Sequence, residues 1–138
     1  MTGPARRPGP GPEASLALIR IAMLVGVLTF GGVIWYLHRQ PAYAPAPPTE
    51  GLQRLTRALD YVMIGVVAAL VALRVATGRT RDAARARSLT IIGWAAGELA
   101  ALAGGVHYFL TNDPRWYGIG VLVLIASYVV LPIRRRSA

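Results

Sequence analysis

Ser88 to Leu110 reads SLTIIGWAAGELAALAGGVHYFL, and the fold follows from what such a run requires. As a helix rising 1.5 Å per residue it would be about 35 Å long, enough to cross roughly 30 Å of hydrocarbon. Its one charge, Glu98, stands near the middle. Gly93, Gly97, Ala101 and Gly104 recur at three- and four-residue spacing, the pattern of a small-residue face against which a second helix can pack closely.

Similar apolar runs lie on both sides: about Ser15 to Leu37, Ala58 to Thr77 and Trp116 to Ile133. The expectation is an all-α membrane protein with four transmembrane helices occupying residues 15–136. Residues 1–14, rich in Pro and Gly, are expected to be a disordered tail. Arg20, one turn inside the first run, can snorkel toward headgroups. HRQPAYAPAPPTE (His38 to Glu50) is a proline-rich connector suited to an extended path. GLQRLTR (Gly51 to Arg57) suits an interfacial lead-in to the second span. GRTRDAARAR (Gly78 to Arg87) reads as a basic loop, and TNDPR as a tight turn. Pro132 is tolerable so near the end of the last span. Ala42-Tyr43-Ala44 resembles a cleavage site, but the preceding run exceeds the 7–15 residues of a signal-peptide core.

Apolar residues make up 54% of the 138, more than a soluble domain of this size can hide. Fifteen basic residues face six acidic ones. All fifteen are Arg, a composition that points to a GC-rich, bacterial genome. They flank the spans, so membrane orientation explains them better than nucleic acid. One side collects Arg6, Arg7, Arg20, Arg74, Arg79, Arg81, Arg85, Arg87 and Arg134 to Arg136; the other has only Arg39, Arg54, Arg57 and Arg115. By the positive-inside rule both termini are expected in the cytoplasm of a bacterial inner membrane. The arginine loop would meet anionic lipid headgroups. Trp35, Tyr36, Tyr61, Tyr108, Phe109, Trp116 and Tyr117 fit an outer interfacial belt, whereas Trp94 and Tyr128 lie too deep for one.

The end of span one, FGGVIWYL (Phe30 to Leu37), matches the end of span three, AGGVHYFL (Ala103 to Leu110). IGVV (Ile64 to Val67) in span two matches IGVL (Ile119 to Leu122) in span four. The pattern is compatible with two tandem helical hairpins related by duplication.

Glu98 is the residue that could carry chemistry. A charged carboxylate at mid-membrane costs on the order of 2.5–3.5 kcal/mol, which favours protonation or a bound cation. Two readings stay open. Glu98 could take up and release a proton or small cation, or it could hydrogen-bond to Thr29, Ser127 or Tyr128 and fix packing.

RTRDAARARSLTIIGWAAGELAALAGGV (Arg79 to Val106) resembles the loop and second helix of the proteolipid c subunit of rotary ATP synthases. Arg79, Asp82, Ala83 and Ala84 correspond to the polar loop. Ile92, Gly93, Ala95, Glu98, Ala101, Leu102, Gly104 and Val106 correspond to the carboxylate helix. The resemblance implies an ion-carrying role for Glu98. Thr80-Arg81 replaces the family's Gln-Pro, and span two lacks its repeated Gly-x-Gly.

With no cysteine, thiolate metal sites and Cys nucleophiles are excluded. No HExxH, GxSxG or Walker loop is present, so no enzymatic activity is expected. His38 and His107 stand alone at outer span ends, suited to interfacial hydrogen bonds; as haem ligands they would be a sparse pair. Neither a metal site nor a cofactor is expected. The functional expectation is a non-enzymatic scaffold or accessory subunit, packing through span three against a copy of itself or a membrane-complex partner. The alternative is a c-subunit-like unit that binds a proton or cation at Glu98.

Overall fold

The structure, a computed structural model, describes residues 12–44, 47 and 49–131. They form four α-helices: α1 (Pro12–His38), α2 (Glu50–Arg79), α3 (Ala83–Thr111) and α4 (Arg115–Val130). The first three are long and apolar enough to cross a bilayer, and α4 is a shorter apolar helix. Its 16 residues reach about 24 Å. The rest of the expected fourth span, from residue 132, lies outside the described residues together with the arginine triplet. The expected tail is outside them up to residue 11, and residues 12–14 already belong to α1.

Helix ends are set by local hydrogen bonding. The Thr49 hydroxyl accepts from the Leu52 amide at 3.2 Å and caps α2, which therefore runs unbroken through the expected lead-in. The Asp82 carboxylate accepts from the Ala84 amide at 2.9 Å and caps α3. Each satisfies an amide that lacks an intrahelical partner. The expected ten-residue basic loop thus shrinks to Thr80–Asp82: Arg79 ends α2, while Arg85 and Arg87 ride on the first turns of α3. Asn112 stops α3 in the left-handed region at φ 60°, its amide bonded to the Tyr108 carbonyl at 2.8 Å; Asn is one of the few L residues that adopts this conformation readily.

α3 is the hub. It packs most extensively on α4, then on α2, and less on α1, whereas the backbones of α1 and α2 come close to α4 at few points and do not come close to each other. The expectation of two tandem hairpins is therefore met in packing only by α3–α4. The connector is long enough to carry the chain from one flank of α3 to the other, so α1 and α2 need not be neighbours. The core gathers along α3 and includes the fully buried Val27, Ile34, Trp94, Leu124, Ser127 and Leu131.

The outer faces are apolar. Leu18, Ile64, Val71, Leu122 and Val129 are each between 62% and 74% exposed (68%, 64%, 62%, 66% and 74%). A water-facing monomer rarely displays so continuous an apolar surface, and the arrangement is compatible with a membrane protein.

Candidate functional site

Arg20 lies about two turns inside α1, and its side chain turns inward instead of snorkelling out. Its guanidinium carbon is 4.1 Å from the centre of the Trp94 ring and 5.4 Å from that of Tyr128. One guanidinium N–H donates to the Tyr128 carbonyl at 3.3 Å, and the Tyr128 hydroxyl donates back to the Arg20 carbonyl at 3.4 Å. Trp94, fully buried, donates its indole N–H to the Leu131 carbonyl at 3.1 Å.

Both acceptors belong to the C-terminal end of α4, where carbonyls run out of helical donors. The residue four beyond Tyr128 is Pro132, which has no amide hydrogen to offer. Arg20 and Trp94 replace the missing donors, and the cation also suits the negative end of the helix dipole. α4 has no basic residue in its own last turn; α1 supplies it. This accounts for Trp94 and Tyr128, the two aromatics too deep for a membrane belt.

Glu98 is one turn beyond Trp94 on α3. It is half-buried and within electrostatic reach of Tyr128. The hydroxyls expected as its partners are committed elsewhere: Ser127 donates to the Leu124 carbonyl at 2.7 Å and Tyr128 to Arg20. Thr29 is exposed. Among the described residues, ion pairs within 4.0 Å join Glu50 to Arg54, Asp60 to His107 and Asp113 to Arg115, and none joins Glu98 to Arg20.

The small-residue face of α3 is filled from within the chain. A Cβ on Gly97 would lie 2.7 Å from the Ser127 hydroxyl oxygen and 3.1 Å from the Leu124 Cα. One on Gly120 would lie 2.6 Å from the Ala100 carbonyl oxygen. A Cβ on Gly104 would collide with the Trp116 backbone, and one on Gly93 with the Leu131 side chain. Ala101 is fully buried in a cluster with Val27 and Leu124. A partner helix expected to dock on Gly93, Gly97, Ala101 and Gly104 would find α4 in its place, because α3 and α4, joined by a tight turn, meet there at backbone distance.

The sequence matches between the two halves differ in what their glycines face. Gly105 abuts the Phe30 ring and Gly120 abuts α3, but their counterparts Gly32 and Gly65 have nothing within 4 Å. Gly31, like Gly104, is closed: it accommodates the Tyr117 ring, whose hydroxyl donates to the Val27 carbonyl at 2.8 Å.

At the other end of α3, two clusters appear that residue spacing does not reveal. His38 packs edge-on against Tyr43 at 4.4 Å and near Tyr108 at 4.8 Å. Tyr43 donates its hydroxyl to the Phe109 carbonyl at 2.6 Å, and His38 Nε2 lies 3.3 Å from the same oxygen. His107 Nε2 lies 3.8 Å from Asp60 Oδ1, and its Nδ1 lies 3.2 Å from the Thr111 hydroxyl oxygen. Among the described residues, no group of three His, Cys, Asp or Glu could hold a metal.

No family model matches the chain, and no match was found among curated proteins or solved structures.

Proposed function

We propose that the chain is a four-span integral membrane protein of the bacterial inner membrane, with both termini cytoplasmic, and that it works without catalysis as a scaffold or accessory subunit. The observation that carries this reading is how the interior polar groups are used. Arg20, Tyr128 and Tyr117 tie α1 to α4, Trp94 ties α3 to the end of α4, and Tyr43 ties the connector to α3. Such side chains brace one helix against another; they do not line a reaction cleft.

Association would use the outward faces of α1 and α2. These helices do not pack on each other, and their Gly32 and Gly65 are uncovered where Gly105 and Gly120 are covered. A Cβ at Gly32 or Gly65 has no neighbouring atom within 4 Å, so Gly32→Leu and Gly65→Leu are expected to leave the monomer intact. They should abolish oligomers or partner capture on native gels and in membrane cross-linking. Unchanged assembly in both would remove this reading.

A second reading rests on Glu98, which is half-buried one turn beyond Trp94 on α3 and occupies the carboxylate position in the resemblance to the proteolipid c subunit. It would then bind a proton or cation within an oligomer. Dicyclohexylcarbodiimide, which attacks protonated carboxyls in apolar surroundings, should label Glu98 in a pH-dependent way. Absence of labelling, with Glu98→Gln unchanged in stability and growth phenotype, leaves the scaffold reading alone.

A further inference from the structure

We propose that Asp60 and His107 together bind a proton between α2 and α3, making a second ionisable centre independent of Glu98. Counting hydrogens on Thr111 defines the site. Its one hydroxyl hydrogen goes to the His107 carbonyl at 2.8 Å. The hydroxyl oxygen accepts the Asp113 amide at 3.3 Å. What it offers His107 Nδ1, at 3.2 Å, is its remaining lone pair, so Nδ1 carries a hydrogen and donates it.

The opposite nitrogen, Nε2, then faces Asp60 Oδ1 at 3.8 Å. That oxygen is buried and has no hydrogen-bond partner. A neutral imidazole protonated at Nδ1 beside an ionised carboxylate would set lone pair against lone pair, away from water. One further proton, on Nε2 or on the carboxyl, removes the conflict and joins the two helices. It belongs to the pair as a unit.

Among the described residues, no other charge serves this purpose. From α4 the facing group is the Trp116 indole, 5.5 Å from the His107 ring, which does not titrate. Asp113 and Arg115 pair with each other at 4.0 Å. Arg57, one turn before Asp60 on α2, is exposed. On the α1 side, His38 and Tyr43 turn to the Phe109 carbonyl and the Tyr108 ring. The Asp60 side chain is 35% exposed and that of His107 11%, so the proton exchanges from the α2 side. His107 and Glu98 are about 14 Å apart along α3 and half a turn around it, on opposite faces.

The test uses the full chain in lipid nanodiscs with isotope-labelled histidine and aspartate. There are only two histidines, and His38→Gln assigns them. Near neutral pH the expected state is Nδ1 protonated together with one more proton on the pair, seen as an imidazolium beside a carboxylate or a neutral ring beside a carboxylic acid. In Asp60→Asn the ratio of imidazolium to neutral imidazole should fall at least about tenfold, the effect of removing one adjacent opposite charge, or the ring should stay neutral where the wild type holds the acid form. A neutral imidazole beside an ionised Asp60 in the wild type overturns the proposal. Thr111→Val keeps both ionisable groups, and in the neutral ring observed at high pH it should turn a single Nδ1–H form into a mixture of Nδ1–H and Nε2–H forms; a neutral-ring spectrum unchanged by that substitution also overturns it.

Discussion

The Arg20 guanidinium sits 4.1 Å from the centre of the Trp94 ring, and both side chains end on carbonyls at the C-terminal end of α4. A residue near the start of α1 thereby finishes a helix more than a hundred residues later in the chain. The pairing joins a cation–π contact to two hydrogen bonds, and each is worth more away from water than on a surface.

Arg20→Leu should therefore destabilise the bundle by about 1–3 kcal/mol, because it leaves the Tyr128 carbonyl unsatisfied as well as removing the stack. Arg20→Lys restores the charge without the planar fork and should fall between wild type and Arg20→Leu. Thermal unfolding in nanodiscs gives the order. Equal midpoints for Lys and Arg would show that charge alone matters at this position.

The glycines of the repeated segments make an internal control. A methyl on Gly120 would lie 2.6 Å from the Ala100 carbonyl and 2.7 Å from the Ala101 Cα, so neither backbone can yield without parting α3 from α4. Gly120→Ala should lose about 1–3 kcal/mol by overpacking. Gly65→Ala meets nothing and should be neutral or stabilise by about 0.5–1 kcal/mol through helix propensity. Equal losses in the two variants would mean that Gly65 is packed as tightly as Gly120.

Helix number and order were legible because apolar runs separated by Pro, Gly and Arg leave few alternatives. Helix ends were less so: the Asp82 cap extends α3 into what reads as a charged loop, since basic residues fit a first turn when their side chains point outward. The small-residue face of α3 was also legible as a packing surface. Its occupant was not, because an uninterrupted Gly and Ala pattern is the same whether the neighbour is a partner or the next helix. Tertiary pairing of polar groups left no local signature. Arg20 reads as a snorkelling residue by its position near a span end, and only the missing amide of Pro132, four residues after Tyr128, hints that α4 needs a donor from elsewhere. Asp60 and His107 lie far apart in sequence at similar depths, which antiparallel neighbours permit but do not require.

The connector should depend on one hydroxyl for its anchorage. Tyr43 reaches the Phe109 carbonyl at 2.6 Å, and among the described residues the backbone bonds of this segment are local. Tyr43→Phe keeps the ring contact with His38 and deletes that tie. Proteolysis and amide exchange across residues 39–49 should accelerate, while the global free energy of unfolding changes by no more than about 0.5 kcal/mol. A large global loss would instead make the connector part of the cooperative core.

The absence of cysteine makes span number directly measurable, since single introduced thiols can be read without background. Ala42→Cys lies in the connector, Thr80→Cys between α2 and α3, and Ser137→Cys near the C-terminus. With four spans and cytoplasmic termini, a membrane-impermeant maleimide should label Ala42→Cys in intact spheroplasts. Thr80→Cys and Ser137→Cys should react only after permeabilisation. The discriminating position is 137. α4 is described for 16 residues, about 24 Å, which is short of a full hydrocarbon crossing unless its last turn continues or the bilayer thins locally. Had α4 turned back without crossing, Ser137→Cys would react alongside Ala42→Cys. The arginines at 134–136 argue against that outcome, because they would then stand on the arginine-poor side.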